Sequence, residues 1–198
     1  MTTRFVHLNP NWNTMHDNDP QLRFARSDDL NFLSWIDIKD EGVSSTYMAN
    51  WNDADWAQHR ATIAGFIETP NRIAIIAEVG PSQRIGGAYA RVRNRHVEGD
   101  NPASLSLRLD ASLFPTDGLF CEMFQLWVDP IFRRKGLASR LKLAIEDEAR
   151  HQGVTFICTG TEAANAGVIS LNERLGYRIA KTGPVWDDVP RVSLVKDL

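Results

Sequence analysis

Two cysteines among 198 residues, Cys121 and Cys158, are too few for a disulfide framework or a Cys-rich zinc site. Each sits inside an apolar run, as a reduced thiol in a buried strand would. No apolar run is long enough to span a membrane, and the opening Met1-Thr2-Thr3-Arg4 leads into Asn, Trp, His and Asp rather than a signal-peptide core. The expected address is the cytoplasm, with no membrane partner. A large charge of one sign is also missing. The formal net charge is -3 at pH 7, without the basic excess of nucleic-acid binding modules, which leaves room only for a local basic site. His7, His16, His59, His96 and His151 are scattered with no metal-ligand spacing, so no metal is expected. Neither Gly-x-x-x-x-Gly-Lys-Ser/Thr nor Gly-x-Gly-x-x-Gly occurs, which disfavours ordinary nucleotide hydrolysis.

What is present is a globular composition, 43% hydrophobic and 24% charged, in a chain of the size of one domain. Residues 1–21 lack periodicity and read as an irregular extension ahead of a single domain over 22–198. Residues 22–26 alternate at period two, and Ser27-Asp28-Asp29 then opens a helix carrying Leu30, Leu33, Trp35 and Ile36. Asp53 offers a cap for a second helix, with Trp56, Ile63 and Phe66, ending before Pro70. Strands are expected over 72–79 and 84–93 around a Gly80-Pro81 turn, and over 120–128, the strongest of all. Residues 94–118 form a long connection without clear period. A helix over 134–152 stops at Gly153, followed by a strand over 154–158, a helix over 163–175, a strand opened by Gly176-Tyr177, and a last strand over 191–195. The order β-α-α-β-β-β-α-β-α-β-β belongs to a layered α/β or α+β domain with a mixed sheet.

The most informative stretch runs from Leu126-Trp127-Val128 through Asp129-Pro130 to Arg133-Arg134-Lys135-Gly136-Leu137-Ala138. A buried strand passes through a basic turn into an amphipathic helix, where unpaired N–H groups and the helix dipole favour an anion. Gly136 and Ala138 leave space for a phosphate, and a pyrophosphate would fit. The alternative is a solvated basic turn with Gly136 easing the chain into the helix; physics alone leaves the two even.

Arg133-x-x-Gly136-x-Ala138 behind Leu126-Trp127-Val128 and Pro130 resembles the signature of the GCN5-related N-acetyltransferase (GNAT) superfamily. Asn165, Leu171 and Glu173-Arg174-Leu175-Gly176-Tyr177 resemble that family's later helix and strand. The resemblance implies a mixed, mostly antiparallel central sheet flanked by helices, with two parallel strands splayed around acyl-coenzyme A. It implies acetyl-CoA as co-substrate. Leu126, Trp127 and Val128 would hold the pantetheine and the acyl carbonyl through main-chain atoms, residues Arg133, Arg134, Lys135, Gly136, Leu137 and Ala138 the pyrophosphate, and Asn165 the coenzyme near the second strand. Apart from the resemblance, Asn165 reads better as a helix-start residue with a purely local bond.

Acetyl transfer to an amine needs a neutral nucleophile, and a lysine-like amine with pKa about 10.4 must lose a proton. Glu122 shares a strand face with Phe124, Leu126 and Val128 and is the candidate base, a role the resemblance supports; otherwise it reaches solvent or an arginine such as Arg91 or Arg108. At Asn172 many members of the family have a Tyr that protonates the departing thiolate. An amide cannot do so. Tyr47, Tyr89 and Ser170 are the substitutes.

The acceptor is expected to be a primary amine of a small molecule or peptide. Trp35, Asp37, Asp40, Glu41, Tyr47, Trp51, Asp53, Asp55 and Trp56 combine aromatics with carboxylates and suit a cationic amine, with Trp35, Tyr47 and Trp51 as its candidate contacts and Trp186-Asp187-Asp188 repeating the theme. The bland reading is an amphipathic helix pair with solvated carboxylates. The alternative function is a catalytically weak or inactive acyl-CoA-binding sensor. A monomer or homodimer is expected.

Overall fold

The computed structural model describes residues 19–40, 50–80, 82–97, 108–185 and 188–198. The predicted element order holds. Strand β1 (Gln21–Phe24) leads through a 3-10 turn into α1 (Leu30–Asp40), then α2 (Asp53–Glu68), β2 (Arg72–Val79), β3 (Gln83–Asn94), β4 (Leu119–Val128), α3 (Leu137–His151), β5 (Phe156–Glu162), α4 (Ala166–Arg174), β6 (Arg178–Pro184) and β7 (Pro190–Asp197). The strands form one mixed seven-stranded sheet in the order β1-β2-β3-β4-β5-β7-β6. Strands β4 and β5 are parallel, with Cys121 opposite Ile157, Glu122 opposite Cys158 and Met123 opposite Thr159. Strand β7 pairs antiparallel with both β5 and β6. That parallel ladder is shorter than either strand, so part of each lies outside it. Among the described residues no helix is long and apolar enough to cross a membrane.

The chain packs as two compact units, one of the residues up to Tyr89 with Gln125–Ile145 and the other of Ala90–Phe124 with Glu146–Leu198. In the first, Leu33 and Ile36 of α1, Ile63 and Phe66 of α2, Ala74 and Ile76 of β2, Tyr89 of β3 and Trp127 of β4 bury one apolar cluster. Helix α2 starts one residue earlier than Asp53 suggests. Asn52 is its cap, accepting from the N–H groups of Ala54 and Asp55, while Asp55 accepts from the Asn52 N–H at 2.9 Å. In the second unit Leu109, Phe114, Phe120, Phe156, Cys158 and Val195 close a separate core. Paired residues share a face, so Cys158 lies on the Glu122 face and Cys121 on the other. Both thiols are buried and neither is in a disulfide, and burial, with the Glu122 carboxylate next in weight, pushes the Cys158 thiol well up.

The other departures come from local backbone. Helix α3 begins at Leu137 rather than 134 because Arg134 (φ 62°) and Gly136 (φ 81°) are left-handed and cannot join a right-handed helix. Helix α4 begins at Ala166 because Asn165 caps it, and β5 starts at Phe156 and runs on to Glu162.

The first unit rests on a buried carboxylate. Asp29, fully buried, accepts from Arg23 at 2.6 and 3.0 Å, from Arg84 at 2.5 Å and from the Arg26 N–H at 2.7 Å. Burial pushes this carboxyl up, but the hydrogen bonds from Arg23, Arg84 and Arg26 outweigh it, and the folded value lies below the usual one. Its stabilisation is therefore complete above the unfolded carboxylate pKa of about 3.9 and is lost as pH falls through the lower folded value. Asp29→Asn should cost about 3–5 kcal/mol at pH 7, because it strands two guanidiniums. The difference between variant and native chain should shrink below pH 4; denaturant unfolding showing a pH-independent difference would contradict the assignment.

Candidate active site

Within the first unit the end of β4 is fixed from three directions. Trp127 is 4% exposed, edge-on to Trp35 at 4.9 Å and to Phe32 at 5.9 Å, so its side chain is core and only its main chain is left for a ligand. A Cβ at Gly86 would stand 3.0 Å from the Trp127 carbonyl oxygen, which is the close approach that keeps this position a glycine. Asp129 donates its N–H to the Ile85 carbonyl at 2.9 Å.

Gln125, which the sequence reading did not single out, is 5% exposed. Its Nε2 donates to the Ile36 carbonyl of α1 at 3.3 Å, and its Oε1 accepts from the Leu126 N–H at 2.9 Å. An amide thus satisfies a main-chain donor on the segment 126–128. The signal was available: a glutamine inside an otherwise apolar strand must find partners.

Beyond Asp129, which accepts from the Ile131 N–H at 3.0 Å, a 3-10 turn (Pro130–Phe132) delivers the basic residues. Arg133 folds back, its Nε donating to the Val128 carbonyl at 2.8 Å, so it braces the strand end and has only its outer nitrogens for an anion. Arg134, Lys135 and Gly136 are exposed, and nothing lies within 4 Å of where a Gly136 Cβ would be. The Gly136 carbonyl accepts from the Arg140 N–H at 3.1 Å, so helix α3 opens immediately after it, and the first-turn N–H groups have no intrahelical acceptor. Leu137 is buried and Ala138 half-buried, which anchors the turn from below. Free N–H groups, an open glycine and cations at a helix start suit a diphosphate.

The aromatic and acidic residues of α1 and α2 are largely matched among themselves. Trp35, 42% exposed, carries the Lys39 ammonium 4.2 Å above its ring. Asp37 accepts from the buried Tyr89 hydroxyl and from His59 Nε2, the latter at 2.8 Å. Trp51 packs edge-on to Trp56 at 4.8 Å and beside His59 at 5.3 Å. The cation expected here has internal counterparts, because Lys39 lies one turn from Trp35 on the same helix. Tyr47, Glu41, Trp186, Asp187 and the Asp40 side chain lie outside the described residues.

In the second unit Glu122 is 4% exposed, and its Oε2 receives Arg93 Nη1 at 2.7 Å, Arg91 Nε at 3.1 Å and Arg91 Nη2 at 3.0 Å. Of the two arginine partners considered, Arg91 is found here; Arg93 was not anticipated, although period two places it on the Arg91 face. Asn165 caps α4, accepting from the Val168 N–H at 3.2 Å. Asn172, 1% exposed, donates from Nδ2 to the Val168 carbonyl at 2.9 Å and ties one turn of α4 to the next. Of the substitute acids, Tyr89 is fully buried on Asp37, and Ser170 accepts from Arg174 at 2.7 Å. Tyr177 is 4% exposed, and burial beside Glu146 pushes its phenol far above the ordinary range, so it stays protonated. Among the described residues no group of three or more His, Cys, Asp or Glu could hold a metal ion.

The chain has counterparts among known proteins. The chain is 38% identical over 58 residues to the [ribosomal protein bS18]-alanine N-acetyltransferase of Salmonella typhimurium, a stretch that is 29% of this chain and 39% of that relative. Its fold matches the crystal structure of Arabidopsis thaliana NAA60 in complex with acetyl-CoA, with TM-score 0.67 and 14% identity over 91% of this chain and 99% of that one. It also matches the ribosomal-protein-S18-alanine N-acetyltransferase of Escherichia coli, with TM-score 0.58 and 16% identity over 90% and 94%. The acetyltransferase (GNAT) family matches residues 12–177, and this chain belongs to that family.

Proposed function

We propose that the chain transfers the acetyl group of acetyl-CoA to a primary amine of a peptide or small molecule by direct attack of the amine on the thioester. The observation that carries this reading is the passage from β4 to α3, where two left-handed residues expose the first-turn N–H groups of the helix behind Arg134 and Lys135. In it, residues 134–138 hold the pyrophosphate, and Leu126, Trp127 and Val128 take the pantetheine and acyl oxygen through main-chain atoms. Relatives named as N-acetyltransferases of a ribosomal-protein alanine support a peptide α-amine as the acceptor class.

The acceptor ammonium gives a proton to Glu122, directly or through water, and the neutral amine then attacks the thioester carbonyl. The contacts to the carboxylate converge on Oε2, which leaves Oε1 as the acceptor atom. No acid is assigned to the leaving group. Asn172 is an amide engaged inside its helix, and a thiol of pKa about 8.5 departs as thiolate without one. The sensor reading shares the coenzyme site and differs only in turnover, so coenzyme A release on adding an amine panel separates the two.

Gly136→Ala should weaken coenzyme A binding by about tenfold, or 1.4 kcal/mol, since a side chain at φ 81° is strained and fills the cradle. Unchanged affinity in titration calorimetry would remove residues 134–138 from the site. Glu122→Gln should lower kcat with little change in coenzyme A affinity and flatten the acidic limb of the pH-rate profile. An unaltered profile would remove Glu122 as the base.

A further inference from the structure

The main chain at the end of β4 presents different groups to its two sides. Asp129 donates its N–H to the Ile85 carbonyl at 2.9 Å, and the Trp127 carbonyl oxygen lies 3.0 Å from where a Gly86 Cβ would stand. Trp127 and Asp129 therefore turn their main-chain groups toward β3. Neighbours along a strand turn theirs the other way, which puts those of Leu126 and Val128 on the side away from β3. The parallel ladder of β4 ends before them, at Met123. On this side the Val128 carbonyl accepts from Arg133 Nε at 2.8 Å, and the Leu126 N–H donates to Gln125 Oε1 at 2.9 Å.

The two side-chain contacts differ in kind. Arg133 reaches back from the following turn, whereas the Leu126 N–H is held by the amide oxygen of the residue just before it. The orientation of that amide is fixed by its partners, since the oxygen must face the N–H and the nitrogen the Ile36 carbonyl. The bond to Ile36, at 3.3 Å, is longer than usual, so the amide is tied only loosely to α1. The proposed diphosphate turn follows β4, and going from Val128 back to Leu126 moves about 7 Å away from it, toward the thioester end of a bound coenzyme. A thioester carbonyl arriving there meets a donor already taken by another carbonyl-type oxygen. Ile36, Gln125, Leu126, Val128 and Arg133 all belong to the first unit.

We propose that Gln125 Oε1 holds the place of the acyl oxygen at the Leu126 N–H and yields it to the thioester carbonyl, which makes Gln125 a positioning residue for the acyl group. This rests on the acetyltransferase reading. Coenzyme A has no acyl oxygen and leaves the Gln125 contact in place. Acetyl-CoA exchanges one acceptor for another at a single donor, and the net gain is small because the buried amide loses what the acyl oxygen acquires. The native chain should therefore bind acetyl-CoA scarcely better than coenzyme A.

The test is titration calorimetry of the native chain and of Gln125→Met with acetyl-CoA and with coenzyme A, no acceptor being present. Methionine keeps the length of the side chain and removes the carboxamide. The Kd of coenzyme A divided by that of acetyl-CoA should rise about fivefold in the variant, where the acyl oxygen meets an N–H with no competing side-chain acceptor. A merely structural loosening of the strand end would weaken both ligands alike and leave this ratio unmoved. Ratios equal in the two chains overturn the proposal and leave coenzyme binding, with the transferase reading, intact. If the native chain binds neither ligand, the transferase reading falls and this placement with it. Should Gln125→Met fail to fold, amide NMR of the native chain decides. Between the two saturated complexes the largest difference should fall on the Leu126 N–H and the Gln125 side-chain amide, and a difference centred elsewhere overturns the proposal.

Discussion

At the end of β4 the backbone must leave an extended strand and enter a helix while exposing, rather than covering, the first N–H groups of that helix. Two left-handed residues, Arg134 and Gly136, make this possible, and one of them is a bulky arginine in a conformation that costs about 1–2 kcal/mol. The strain is held by neighbours: Arg133 braces the Val128 carbonyl, Asp129 ties back to Ile85, and Leu137 is buried at the helix start. The aromatic cluster of Phe32, Trp35 and Trp127 and the Gln125 amide then hold the strand beneath the turn. Contacts within the first unit thus hold both the strand end and the turn that follows it.

Electrostatics in the second unit follow a different rule. A carboxylate buried in a sheet is tolerable only when paired, and Glu122 is paired twice on one oxygen. Both arginines meet the same oxygen, Oε2. The same economy is absent at Asn172, whose amide is engaged inside α4. The proposed reaction leans on the acidity of the leaving thiol.

Periodicity predicts the element order, and the β4-to-α3 motif predicts the family, because both depend on neighbours in sequence. Helix α3 starts three residues later than its apolar spacing indicates, since spacing does not report that Arg134 turns left-handed. The pairing of Glu122 with Arg91 and Arg93, the clasp of Gln125 on Ile36, and the grip of Asp37 on Tyr89 and His59 join residues 22 to 89 positions apart. No local pattern encodes them. The aromatic and acidic run of residues 35–56 reads as a cation site from composition, and the structure finds Lys39 already over Trp35.

The most direct measurement is the backbone amide NMR response to coenzyme A. If the turn and strand end receive the coenzyme, the largest shifts fall on the N–H groups of Leu126–Val128 and of residues 134–138, with the Gln125 side-chain amide following Leu126. Saturable binding whose shifts leave both segments untouched would contradict the placement of the coenzyme and the mechanism built upon it.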